Sequence, residues 1–176
     1  MGVAFVGIHM QSEQAEASHT ACIWEYTSGD LELEFRWGGT LSDPHDWKTA
    51  FTVAAADWIN SNTVVDWQYD AYAVNSMNKY DLDDGWLGFN SKFCGGPSGT
   101  ISSNDMWGNV FGDNYTYNER RCIACHKIGH AVDLDHSGSS ADLMYTTHYS
   151  FNTSYIPQSS DETVTNNQYL LDQAIK

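Results

Sequence analysis

The chain has 176 residues, with 23 acidic against 8 basic side chains and a formal net charge of −15. That balance argues against a phosphate-neutralising nucleic-acid surface, since Arg120, Arg121 and Lys127 form the only local basic cluster. Seven Trp, ten Tyr and seven Phe supply enough apolar area to argue against disorder, and no apolar run approaches the roughly 18 residues of a membrane span.

Residues 1–20 are polar and weakly patterned and read as a loose arm, leaving 21–176 as one domain. The opening MGVAFVGIHM has an apolar patch without a basic flank, which makes a poor signal peptide. LELEFRWGG at 31–39 alternates Leu31, Leu33, Phe35 and Trp37 against Glu32, Glu34 and Arg36, the period of a half-buried strand. A helix is expected from the Ser42–Pro44 cap region to about Asn60. Trp47, Phe51, Ala54, Ala55, Trp58 and Ile59 recur there at helical spacing.

TVVDWQYDAYAV (63–74) is β-branched and aromatic and predicts a second strand. DLDDGWLGF (81–89) predicts a turn and another apolar stretch, and GTISSN (99–104) a further strand. Thr116-Tyr117-Asn118-Glu119 has the capping-box pattern and opens a helix to about Val132. SSDETVTNNQYLLDQA (159–174) reads as a terminal helix.

The chemistry concentrates in the second helix and the loop after it. His126 and His130 are four residues apart, about 40° around a helix, so both imidazoles project from one face. His136 joins them only if the helix ends near residue 133 and the chain turns back. Three neutral imidazoles with an open fourth position make a hydrolytic zinc site.

ACHKIGHAVDLDHS, followed by ADLMY (141–145), resembles the metzincin zinc-peptidase motif HExxHxxGxxH with its Met-turn, in the matrixin form. The resemblance implies an α+β domain with a twisted, mostly parallel sheet, an active-site helix and a C-terminal helix. It implies zinc held by His126, His130 and His136, and a floor made by Met144. Ser137 follows the third ligand as in matrixins, and Tyr145 follows the Met as a possible helper. Residues 146–156 would shape a side-chain pocket, and the strand near 99–104 would form the cleft edge on which an extended peptide substrate pairs.

Two positions depart from that motif. Lys127 stands where the family has its general-base glutamate, and an ammonium cannot accept a proton from bound water. Asp133 stands where the family has glycine, at a turn that wants a left-handed backbone, which Asp tolerates at modest cost. The expected activity is therefore that of an impaired zinc metalloendopeptidase. The alternative is a homologue that binds zinc and peptide without cleaving.

Other readings stay open at this point. Cys122-Ile123-Ala124-Cys125-His126 is a CxxCH haem-attachment pattern, for which Met144 could be an axial ligand. A thioredoxin-like role for the same CxxC lacks a βαβ context. Cys22, Cys94, Cys122 and Cys125 permit two disulfides in three connectivities. FCGGP at 93–97 faintly resembles a matrixin cysteine switch, but Cys94 reads better as a disulfide partner. The acidic turn 81–85 could donate carboxylates to calcium, though it is not an EF-hand loop. Sequons occur at Asn114 and Asn152, and His9, His19, His45 and His148 lack partnered spacing. The expected setting is secreted, with a peptide or protein substrate, no nucleic acid, no membrane and a monomeric state.

Overall fold

The computed structural model describes residues 22–26, 28–39, 41, 47–83, 85–95, 100–110, 115–145 and 155–170. The N-terminal arm, the asparagines of both sequons, the four unpartnered histidines and most of 146–156 lie outside the described residues.

Five strands form one sheet: β1 Leu31–Trp37, β2 Val65–Tyr69, β3 Asn75–Tyr80, β4 Gly88–Cys94 and β5 Ile101–Asn109. Their order is β2-β1-β3-β5-β4, with every pairing parallel except β4 with β5. The helices are α1 Trp47–Ile59, α2 Tyr117–Ala131 and α3 Ser159–Leu170. This is the expected α+β architecture with a mostly parallel sheet. Among the described residues no helix is long and apolar enough to cross a membrane.

The alternation read in β1 holds, with Leu31, Leu33 and Phe35 buried and Glu32 and Glu34 exposed. The inner face meets α1 through Ala50, Phe51, Ala54 and Trp58. Helix α2 is covered on nearly all sides and buries Cys122 through Gly129 without a break. Trp58 Nε1 donates to Cys125 O at 2.9 Å and Trp24 Nε1 to Ala131 O at 2.8 Å, so two indoles clamp the helix.

Two expectations need correction, and the cysteine pairing left open is settled. The stretch 63–74 is not one strand: β2 ends at Tyr69, and an Asx turn follows in which Tyr72 N donates to Asp70 Oδ1 at 2.7 Å. The next strand, β3, escapes the apolar pattern because Asn75, Ser76 and Asn78 are buried polar residues. They are stable there because they bond to one another and to neighbouring strands. The strand expected at 99–104 is β5, Ile101–Asn109, and lies inside the sheet between β3 and β4, so β4 and not β5 is the outer strand on that side. One disulfide forms: Cys22 pairs with Cys94, their Cα atoms 6.0 Å apart, while Cys122 and Cys125 are buried thiols outside any disulfide.

Asn109 closes the acidic turn after β3 by donating through Nδ2 to Leu82 O at 2.9 Å and Trp86 O at 2.7 Å. Protein groups hold this turn in place.

Candidate metal centre

Thr116 caps α2 with its hydroxyl on Glu119 N, and the Glu119 carboxylate returns to Thr116 N at 2.6 Å. The capping box thus fixes where α2 starts and which face carries His126 and His130. At the other end Asp133 N donates to His130 O and Leu134 N to Gly129 O, each at 3.0 Å. These two bonds are a Schellman motif. Asp133 takes φ 67°, the left-handed conformation expected at that position, at a cost of about 1–2 kcal/mol for a residue with a β-carbon. The reversal carries His136 back beside the helix.

The three imidazoles converge. His126 and His130 Nε2 are 3.0 Å apart, His130 and His136 Nε2 3.2 Å, and all three ligating nitrogens lie within 4.8 Å of one another. Nitrogens bound to one tetrahedral zinc at about 2.0–2.1 Å are roughly 3.3 Å apart, so two of the three edges already match. The tautomers agree with this. His126 Nδ1 lies 2.8 Å from Leu143 O, and His130 Nδ1 2.8 Å from Leu134 O. A carbonyl only accepts, so each Nδ1 carries the proton and each Nε2 presents a lone pair. Two lone pairs facing at 3.0 Å repel unless a cation lies between them. The donor set therefore fits a divalent ion such as zinc.

Burial holds the His130 imidazole well below the usual histidine range, and the nearby positive charge of Lys127 adds to the effect. His130 is accordingly neutral and able to ligate at physiological pH.

Met144 packs on α2 with its sulfur against Gly129, where a β-carbon would overlap it. Met144 O accepts from Ser137 N at 2.7 Å, tying the loop after His136 to the segment carrying Met144, and Ser137 forms an isolated bridge with Tyr145. Asp161 braces the same segment from α3: its carboxylate accepts from Leu143 N at 3.1 Å, Met144 N at 3.4 Å and Gln158 N at 2.9 Å. Burial raises the Asp161 carboxyl above its ordinary value, while those three backbone bonds pull it down.

Strand β4 lies along α2 with the face of Gly88, Asn90 and Lys92 turned toward it. The Lys127 stem passes Gly88, its Cε 3.2 Å from where a β-carbon on that glycine would sit. Asn90 Nδ2 donates to Lys127 O at 3.1 Å, and Lys92 forms an ion pair with Asp133. Asp133 also accepts from Gln168 Nε2 at 3.1 Å. Both positions that depart from the zinc-peptidase motif therefore touch the edge strand. Lys127 itself is buried, at 4% exposure.

Residues missed in the sequence hold this arrangement together. Asn75 Nδ2 donates to Glu34 O at 2.7 Å, and Asn104 N donates to Asn75 Oδ1 at 2.9 Å. Asn104 and Asn90 then exchange amide bonds at 2.8 and 2.9 Å. With the bond from Asn90 to Lys127 O, an asparagine chain crosses from β1 to the middle of α2. Only the buried polar runs in β3 and β5 could have signalled it.

The haem reading does not survive this packing. Cys125 is fully enclosed, Cys122 nearly so, and His126 is turned into the triad, leaving no face for a porphyrin.

Among curated proteins none matches the chain. The family model for matrixin matches residues 12–170, nearly the whole chain and all of the site just described. This chain belongs to the matrixin family of peptidases.

Proposed function

We propose that the chain is a zinc-binding, matrixin-type metallopeptidase whose hydrolytic step is severely slowed by Lys127. The observation that carries this reading is the convergence of three imidazole nitrogens, two of them held as lone-pair donors by carbonyls behind them. Zinc, when bound, polarises a water and a peptide carbonyl.

The chain's own residues supply the rest. His126, His130 and His136 ligate. Leu143 O and Leu134 O fix two of the rings, and Met144 supports the triad from below. Strand β4 offers an open edge to an extended substrate. Hydrolysis adds water across the amide, and one proton must pass from that water to the leaving nitrogen. Lys127 stands where the family resemblance places the group that carries this proton. Its ammonium has no lone pair to take one, and the missing base is worth about 10²–10⁴-fold. The Tyr145 hydroxyl is a candidate helper in the same cleft.

A second reading, a homologue that binds zinc and peptide without cleaving, is favoured by the burial of Lys127 beside His126. The Cys22–Cys94 bridge supports a secreted setting, because such bonds persist in oxidising compartments.

Metal analysis of the native protein and of His130→Ala tests the common core of both readings. One zinc per chain, lost in the variant, is expected. A metal-free native protein overturns both.

A further inference from the structure

We infer that Lys92 of β4 and Gln168 of α3 are positioning residues for the metal centre. They grip the Asp133 carboxylate and so hold the turn that fixes the His130 ring and the place of His136. The inference rests on the zinc reading above and deepens it. Its sign is the reverse of the local expectation: a glycine at residue 133, the residue of the zinc-peptidase motif, should weaken the site.

The turn after α2 is held from outside at three successive residues. Trp24 Nε1 donates to Ala131 O at 2.8 Å, and the Tyr169 hydroxyl donates to Val132 O at 3.1 Å. Asp133 comes next. One of its carboxylate oxygens pairs with Lys92, and the other accepts from Gln168 Nε2 at 3.1 Å. Gln168 and Tyr169 are neighbours in the last turn of α3, so one helix end reaches both Val132 and Asp133.

The residues that follow serve the ligands. Leu134 O accepts from His130 Nδ1 at 2.8 Å, and His136 lies just beyond it in the chain. Asp133 makes the reversal at φ 67°, a conformation uncommon for residues with a β-carbon. Such a backbone persists where its surroundings over-determine it. A glycine would be held there by the two Schellman bonds alone and is free to take other conformations. The carboxylate instead ties the turn to β4 and α3. The side chains of Lys92 and Asp133 are 26% and 18% exposed, so solvent screens this pair less than it does a fully exposed one.

Zinc affinity by chelator competition, with amide hydrogen exchange of the zinc-loaded protein, tests this. Asp133→Gly and Lys92→Met should each bind zinc about tenfold more weakly than the native protein, and Gln168→Leu should shift in the same direction. Removing a positive charge near a cation site would by itself tighten binding, so a loss in Lys92→Met reports the turn. The double variant should be no weaker than Asp133→Gly alone, and Lys92→Arg should stay near native. The Asp133 and Leu134 amides should exchange several-fold faster in Lys92→Met, with the β1 amides unchanged. Zinc held as tightly by Asp133→Gly or by Lys92→Met as by the native protein overturns the inference. Additive losses in the double variant, or unchanged exchange at residues 133 and 134, overturn it too. Zinc content separates the two levels. One zinc in the native protein with indifferent variants sinks this inference alone, whereas a metal-free native protein sinks the zinc reading and this inference with it.

Discussion

The sulfur of Met144 rests on the α-carbon side of Gly129, so close that a β-carbon on residue 129 would overlap it, with Trp58 bounding the same gap. Gly129 therefore lets the segment carrying Met144 press against α2. Gly129→Ala gains about 1 kcal/mol of helix propensity but forces Met144 out of place, an overpacking cost of about 1–3 kcal/mol. The expected result is a lower melting temperature together with weaker zinc affinity, measured by thermal unfolding and chelator competition. An unchanged zinc affinity would show that the floor does not set the ligand geometry.

The asparagine chain makes a separate stability prediction. Asn104 is fully buried, and among the described residues its side chain bonds to Asn90 alone. Asn104→Ala takes the donor from Asn90 Oδ1, while Asn90 Nδ2 keeps its bond to Lys127 O. Urea unfolding should show a loss of about 1–3 kcal/mol, the cost of one stranded buried group. Asn104→Asp should not rescue it, because Asn90 Oδ1 needs a donor.

Cysteine chemistry should separate into two classes. Burial pushes the Cys122 thiol up to about 11 and the Cys125 thiol well above its usual value. Neither forms much thiolate at pH ~8, so neither should alkylate in the native protein. Denaturation without reductant should expose two reactive thiols, and adding reductant should expose all four. Mass spectrometry after iodoacetamide reads this directly. Four reactive thiols without reductant would contradict the Cys22–Cys94 pairing.

Asp161 gives a pH dependence with a definite sign. Its folded carboxyl titrates above its unfolded value because burial disfavours the charge. The native state thus binds its proton more tightly, and the stability from this group is fully present below an unfolded pKa of about 3.9. That stability is lost as pH rises through the folded value. Asp161→Asn removes the titration and turns one of the two oxygens that accept from three backbone N–H groups into a donor, so it should destabilise throughout. The gap between native protein and variant should narrow as pH rises from about 3.5 to 7. A gap that widens over that range would reverse the assignment.

Much of the site was legible in the sequence, for local reasons. The histidine spacing, the Thr116–Glu119 capping box and the need for a turn near residue 133 are all properties of a few adjacent residues, and the positive φ of Asp133 follows from them. Strand β1 and helix α1 show their periods because each has one apolar and one polar face. Strand β3 was hidden because three of its four buried positions, Asn75, Ser76 and Asn78, are polar, and Asn75 is satisfied by partners about 30 to 40 residues away. The edge role of β4 and the pairing of Cys22 with Cys94 depend on strand order, which no local pattern encodes. Gly129 and Asp161 matter only because a distant segment comes to lie against them.

The central claim, that a sound zinc centre lacks its proton carrier, is tested most directly by peptide cleavage with zinc-matched native protein and Lys127→Glu. Restoring a carboxylate beside His126 should raise the cleavage rate by about 10²-fold or more. A native protein that cleaves as fast as Lys127→Glu, at equal zinc content, would contradict it.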